Sequence, residues 1–281
     1  MSRSSFFREV EEAPSSSPSS FSSHGGPPMK ELTFCEVWSQ SQPLMRPFLR
    51  RALRVSQMDF ETALTEMVSL LTNPGLVFKQ ASYRKQTKGR WSRDDPAFAV
   101  CQAGFLGVAM LATGAALRAR RVLTYAYLVV AGVAVHWLAA GFLASTGATF
   151  LANRYLRKNE IKGPTVEWLY AFDVHCNAFF VYFVGSYVLH FFLLPITLMP
   201  RSFVAMLVAN TLHASAFAAY FYVTHVGFRT LPFLQDTEVF LYPALGALAL
   251  LLLSIVLGLL GFRLNFSIAA LSALIAPLPY S

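Results

Sequence analysis

Five long apolar runs constrain this chain more than anything else in it; they lie at roughly 96–117, 122–150, 168–199, 202–226 and 239–261. A helix needs about 20 largely apolar residues to cross a bilayer, and each run is long enough. Inside hydrocarbon every backbone N–H and C=O must find its partner within the protein, so helices and closed barrels are the only spanning solutions. None of the runs shows the alternation of a transmembrane barrel strand. Composition agrees, since only 14% of the 281 residues are charged and the mean hydropathy is +0.47, whereas soluble domains are about a quarter charged. The expected fold class is all-α: a polytopic transmembrane helical bundle of about five spans, with amphipathic juxtamembrane helices on its cytosolic side.

The rest of the chain divides around that bundle at 96–261. Residues 1–44 are rich in Ser and Pro ("PSSSPSSFSSHGG") and have little to bury, which predicts a disordered cytosolic tail. No basic start leads into an apolar core there, so no cleaved signal peptide is expected. Residues 45–95 form a basic, amphipathic juxtamembrane region. Residues 262–281 form an apolar tail ("FSIAALSALIAPLPY"), too short to span and suited to the interface; were it to cross, the C-terminus would return to the cytosol. Cys35, Cys101 and Cys176 are far apart and predict neither a disulfide framework nor a zinc site.

Orientation follows from Lys and Arg in the short flanks. Lys79, Arg84, Lys85, Lys88, Arg90 and Arg93 precede the first span, Arg154, Arg157, Lys158 and Lys162 lie between the second and third, and Arg229 follows the fourth. They outnumber Arg118, Arg120, Arg121, Arg201 and Arg263 on the other side. The N-terminus is therefore expected in the cytosol, although the triplet in "RARR" opposes the trend.

Two segments before the first span carry helical patterning. In "RPFLRRALRVSQMDF", Arg46, Arg50 and Arg54 recur every four residues beside Phe48, Leu49, Ala52, Leu53 and Val55, a pattern suited to an anionic leaflet. In "DFETALTEMVSLLTNPG", Leu64, Met67, Val68 and Leu71 share helical spacing, and Asn73-Pro74-Gly75 ends the segment. Both helices pack on the bundle or bilayer, or they form a docking platform for a cytosolic partner; the pattern fits either. Next comes "YRKQTKGRWSRDDPAF". Asp94 or Asp95 can cap the first span, with Pro96 in its first turn. Trp91 suits the headgroup level. With Arg84, Lys85, Lys88, Arg90 and Arg93 it makes a candidate site for anionic lipid headgroups or an acidic partner. RNA phosphates are a further ligand for such cations, though nothing resembles a folded RNA-reading module.

Polar residues inside the spans are the second candidate. "WLYAFDVHCNAFF" places Asp173, His175 and Asn177 in the third span. On a helix Asp173 and Asn177 share a face, whereas His175 is turned away by about 200°. Asn210 and His213, three apart on the fourth span, are the expected partners of Asp173 and Asn177. Such a cluster acts as a structural clamp worth about 0.6–2 kcal/mol per hydrogen bond, as a site for a polar lipid headgroup, or as a metal or catalytic centre. Zinc chemistry would need His175, His213 and Asp173 to converge, with His190 or His225 in reserve. No HExxH, GxSxG or P-loop pattern occurs, and His136 reads as a packing residue. No catalytic residue, cofactor or metal is expected.

"QMDFE", "YRKQTKGRWSRDDPAF", "VEWLYAFDVHCNAF" and "LPFL" followed by "LYP" resemble the UNC-fifty family of Golgi membrane proteins, from about Arg50 to Pro243. His213 departs from the resemblance, standing where an aromatic residue is expected after "NTL". The resemblance implies a non-enzymatic, five-span protein of the Golgi with a cytosolic N-terminus. It implies a role in vesicular trafficking, in engaging an Arf guanine-nucleotide exchange factor, and in delivering membrane cargo such as receptors; RNA binding is also attributed to the family. Two alternatives stay open: a lipid-handling protein with a polar groove between spans three and four, and a metal-dependent intramembrane hydrolase.

Overall fold

Helices in this protein begin and end where polar residues interrupt the apolar runs. The computed structural model describes residues 47–275 except 49, 55, 57 and 159–162, so the Ser-rich segment expected over 1–44 lies outside the described residues. All of those described belong to one compact unit, Leu32–Ser281. Two shorter helices come first, α1 (Phe60–Thr72) and α2 (Pro74–Lys88). Five long apolar helices follow: α3 (Ala97–Ala116), α4 (Val122–Tyr155), α5 (Trp168–Thr197), α6 (Phe203–Arg229) and α7 (Thr237–Leu259). A short helix, α8 (Phe266–Ile275), comes last. The all-α class and the five spans agree with the apolar runs.

α1 starts where Asp59 accepts the Thr62 amide N–H at 3.0 Å, an N-cap. Pro74 then opens α2, and Gly89 closes it in the left-handed region at φ 73°, where a residue with a Cβ would be strained. α1 has three faces. Ala63, Glu66, Met67 and Leu70 are buried; Leu64, Val68 and Leu71 are exposed and apolar; Thr65 and Thr72 are exposed and polar, with the half-buried Ser69 between them. Together α1 and α2 cap the end of the bundle at which α3, α5 and α7 begin, hereafter the N-terminal face. α1 packs on α3 and α5, and α2 on α6.

On the same face the α4–α5 and α6–α7 connections bind each other. Lys158 donates its amide N–H to the Phe233 carbonyl at 3.0 Å and Gln235 donates to the Leu156 carbonyl at 2.8 Å. Asn153 pairs with both the N–H and the C=O of Val166, at 2.8 and 3.1 Å.

α5 is the central helix, with nearly every residue of Trp168–Phe183 buried. α4 turns Gly141, Ser145, Thr149 and Ala152 inward and packs on α5; such small residues let two backbones approach closely. α4 and α5 each contain a widened π-helical stretch, Ala131–Ala139 and Val184–Leu189. The two stretches meet where His136 Nδ1 shares a hydrogen bond with the Tyr187 hydroxyl at 2.9 Å. α7 lies outermost, resting on α6 with few of its residues buried.

The α4–α5 contact gives a direct test. A Cβ at Gly141 would stand 2.6 Å from the His175 ring, whereas one at Gly104 meets nothing within 4 Å. Gly141→Ala is expected to destabilise the purified protein by about 1–3 kcal/mol through overpacking, and Gly104→Ala to leave the unfolding temperature unchanged or raised. Thermal unfolding in detergent reads both.

Candidate functional site

The segment between α2 and α3 turns inward instead of lying along the surface. Trp91 is 7% exposed and packs edge-on against Tyr170 and Phe233, with ring centroids 6.2 and 6.4 Å away. Tyr170 in turn donates its hydroxyl to the Gly227 carbonyl at 2.7 Å. The indole expected among headgroups is therefore part of the protein core, because Tyr170 of α5 and Phe233 of the α6–α7 connection pack against it. Ser92 follows it inward and donates to Glu167 at 3.3 Å.

Arg93 goes deepest. It is also 7% exposed, and three elements converge on it. Its backbone N–H donates to Asp173 Oδ2 at 2.5 Å. Its guanidinium Nη2 donates to Asn177 Oδ1 at 2.8 Å and forms an ion pair with Glu66 Oε2 of α1, also at 2.8 Å. The Phe98 ring covers the guanidinium at 4.6 Å, a cation–π contact. Asp173 and Asn177 therefore do share a face, one turn apart, but the group they hold is Arg93. Asp173 sits five residues into α5, only about 8 Å below its start, so the cap rather than another span supplies its counter-charge.

Arg84 completes the cage. It is half-buried, and burial, together with the nearby positive charge of Arg93, lowers its pKa below the usual guanidinium value; the Asp173 and Glu66 carboxylates act in the opposite sense. Two guanidiniums thus lie close to two carboxyl groups. Removing one partner of a buried ion pair strands the other charge and costs about 3–5 kcal/mol. Arg93 Nε, Arg93 Nη1 and Arg84 Nε have no hydrogen-bond partner among the described residues. They border a pocket of about 160 Å³ shared with Thr62, Asp94 and Asp95.

The remaining cations of the expected basic site are also engaged. Lys85 donates to the Gly89 carbonyl at 2.6 Å, holding the end of its own helix. Lys88 and Arg90 both pair with Asp94, at 2.8 and 2.5 Å. Asp95 accepts from the Ala97 amide at the start of α3 and from the Asp59 amide ahead of α1, at 3.0 and 2.8 Å. Of the six residues, Arg84, Trp91 and Arg93 point into the protein, and Lys88 is the most open, its side chain 56% exposed.

The second expected pairing, of Asp173 and Asn177 with Asn210 and His213, does not form. Asn210 lies in the other half of the bundle, donating to Ser254 and to the Leu264 carbonyl at 3.2 and 2.9 Å and accepting the Phe266 amide at 2.9 Å. His213 bridges Ser186 and Ser267 at 3.4 and 3.2 Å. Both residues tie α8 to the spans, so no continuous polar path joins them to Asp173. His175, on the far side of α5, shares a hydrogen bond with the Tyr220 hydroxyl at 2.9 Å. Among the described residues no three His, Cys, Asp or Glu side chains come together in a way that would hold a metal ion.

Glu66 was not among the candidates, yet its signal was present. It falls between Ala63 and Met67 on the inward face of α1, and a charge on an apolar face needs a buried partner. Arg93 is one cation in a run of several, and its sequence neighbours gave no sign that it alone is enclosed.

Similarity to known proteins covers the cap and the five long helices. The UNC-50 family profile matches residues 48–270. The chain is 40% identical over 223 residues to a protein unc-50 homolog of Dictyostelium discoideum, covering 78% of this chain and 85% of that one. It is 40% identical over 211 residues to the homolog of Rattus norvegicus (75% and 81% covered) and 40% over 213 residues to that of Danio rerio (75% and 82%). No solved structure matches.

Arg93→Met is expected to destabilise the folded protein by about 3–5 kcal/mol, since Asp173 and Glu66 remain buried and lose the guanidinium that pairs with Glu66, with only half-buried Arg84 left nearby. Lys88→Met, at a surface pair, is expected to change stability by less than about 1 kcal/mol. Denaturant unfolding in detergent compares the two.

Proposed function

The chain belongs to the UNC-50 family, and from that premise we propose that it is a non-enzymatic Golgi protein whose cap faces the cytosol and recruits a peripheral Arf guanine-nucleotide exchange factor. Recruitment would serve vesicular trafficking and the delivery of membrane cargo such as receptors. The resemblance supplies the partner and the compartment; the geometry supplies a surface suited to the task.

The observation that carries the reading is the two-sided cap. Its inner side is locked to the bundle through Glu66 and Arg93. Its outer side shows Leu64, Val68 and Leu71 of α1 with Leu76 and Tyr83 of α2, all exposed. Lys79 and Lys88 are exposed beside them. A contiguous apolar patch with a charged rim is the usual composition of a protein-binding surface. Because the lock fixes α1 and α2, a partner would meet a preformed surface and bear little ordering entropy. Anionic headgroups assist by attracting the same cations as the partner approaches.

Val68→Asp together with Tyr83→Asp is expected to lower the membrane-bound fraction of the exchange factor about ten-fold, as for loss of interface anchors, while the protein stays inserted at its normal level. An unchanged bound fraction contradicts the recruitment reading. Orientation has its own test: an Asn-X-Ser acceptor placed beside Arg120 is expected to become glycosylated in the lumen, and one placed beside Gly89 to remain unmodified. The reverse pattern would put the cap in the wrong compartment.

A further inference from the structure

In the half of the bundle away from the cap, a second set of polar groups encloses space. A cavity of about 330 Å³ lies between α3, α4, α5, α6 and α8. Its polar wall comprises Thr113, His136, Ser186, Tyr187, His190 and His213. The π-helical stretches of α4 and α5 carry three of these, and such widened turns occur often at functional sites. α8 covers the cavity through Phe266, Ala270, Leu271 and Leu274. Asn210 bonds on either side of its N-terminal end and the buried Ser267 bonds to His213, which fixes that cover in place. A groove of about 570 Å³ adjoins the cavity between α6, α7 and α8, and Tyr182, His213 and Phe266 line both. The groove is lined mainly by Ala214, Phe217, Gly246, Ala247 and Leu250.

We infer that this cavity and the adjoining groove together bind a lipid whose head is uncharged and bears a hydroxyl, of diacylglycerol, ceramide or sterol type. The chemistry of the wall selects the class. His213 stands ten residues into α6, about 15 Å from its start, which is close to the middle of a hydrocarbon core about 30 Å thick. No Lys, Arg, Asp or Glu lines either space, so a phosphate or ammonium head would lie there without a counter-charge. A hydroxyl, in contrast, can both donate to and accept from imidazole and phenol groups. His136 uses Nδ1 on Tyr187, and its Nε2 makes no hydrogen bond to the described residues, which leaves it available to a ligand. The apolar groove then takes the chain or ring body, and the polar chamber holds the hydroxyl.

The full-length protein, reconstituted in phosphatidylcholine nanodiscs, is exposed to photoactivatable diacylglycerol, ceramide, sterol or phosphatidylcholine, and labelled peptides are mapped. At least one hydroxyl lipid is expected to label α5 near Tyr187 and α8 near Leu271 well above phosphatidylcholine; which one does so identifies the source. Equal labelling by all four, or labelling confined to the outer surface of α7, overturns the inference. His136→Phe with Tyr187→Phe preserves ring volume and is expected to weaken that lipid's labelling about five-fold, the effect of one lost hydrogen bond, with phosphatidylcholine labelling unaltered. Ala270→Trp is expected to abolish it by filling the chamber. Competition on the wild-type protein does not depend on how the variants fold: the unlabelled lipid is expected to displace the probe about five-fold better than its O-methyl ether. Equal displacement would also overturn the inference.

Discussion

The burial of Arg93 is the constraint on which the arrangement of this protein depends. A guanidinium can leave water only if carboxylates and hydrogen-bond acceptors replace its hydration. Here those groups come from α1 and α5, through Glu66, Asp173 and Asn177. Since Arg93 belongs to neither helix, its burial ties three separate pieces of chain at once. The same inward turn carries Trp91 under the α6–α7 connection and brings Asp95 to the starts of both α1 and α3. The amphipathic cap is thereby made part of the membrane body instead of an appendage beside it.

Polar groups are segregated by charge along the bundle. The buried ionisable side chains, Glu66, Arg93 and Asp173, gather near the N-terminal face, where Asp173 lies within about two turns of the start of α5. In the opposite half the buried polar groups are neutral, His190, Ser186, Ser267 and Thr197, and the half-buried His213 lies among them. This ordering matches the dielectric gradient of a bilayer, in which a charge becomes more costly with depth while a satisfied neutral hydrogen bond remains tolerable. The two layers also do different mechanical work. The ionic layer holds α1 and α2, and the neutral layer holds α8. The membrane body thus carries a fixed cap at one end and a chamber with a neutral polar wall toward the other, and the two differ in chemistry.

Much of this was legible in the sequence, for physical reasons that differ by element. The spans were readable because a bilayer imposes both a length and a composition on any helix that crosses it. The shared face of Asp173 and Asn177 was readable because helical periodicity is local. Their partner was not: Arg93 lies 80 positions from Asp173, amid cations whose individual fates depend on tertiary packing. Positive charge beside a span fits a surface role as well as a buried one, so the basic segment read as an exposed shelf when three of its six residues turn inward. Glu66 was the missed clue, since it interrupts the buried face of α1. The π-helical stretches have no composition of their own, and the chamber they help to form depends on His136 and Tyr187 meeting across 51 positions. The close fit at Gly141 has no local signal, since it depends on the His175 ring lying against its backbone.

Amide hydrogen exchange tests the central claim, that one buried arginine makes cap and bundle a single cooperative unit, most directly. In the wild-type protein the amides of α1 and α2 are predicted to be protected as strongly as those at the start of α5. In Arg93→Met they are predicted to exchange rapidly while α6 keeps its protection. Rapid exchange of the cap in the wild type, or a cap still protected after the substitution, would contradict the account.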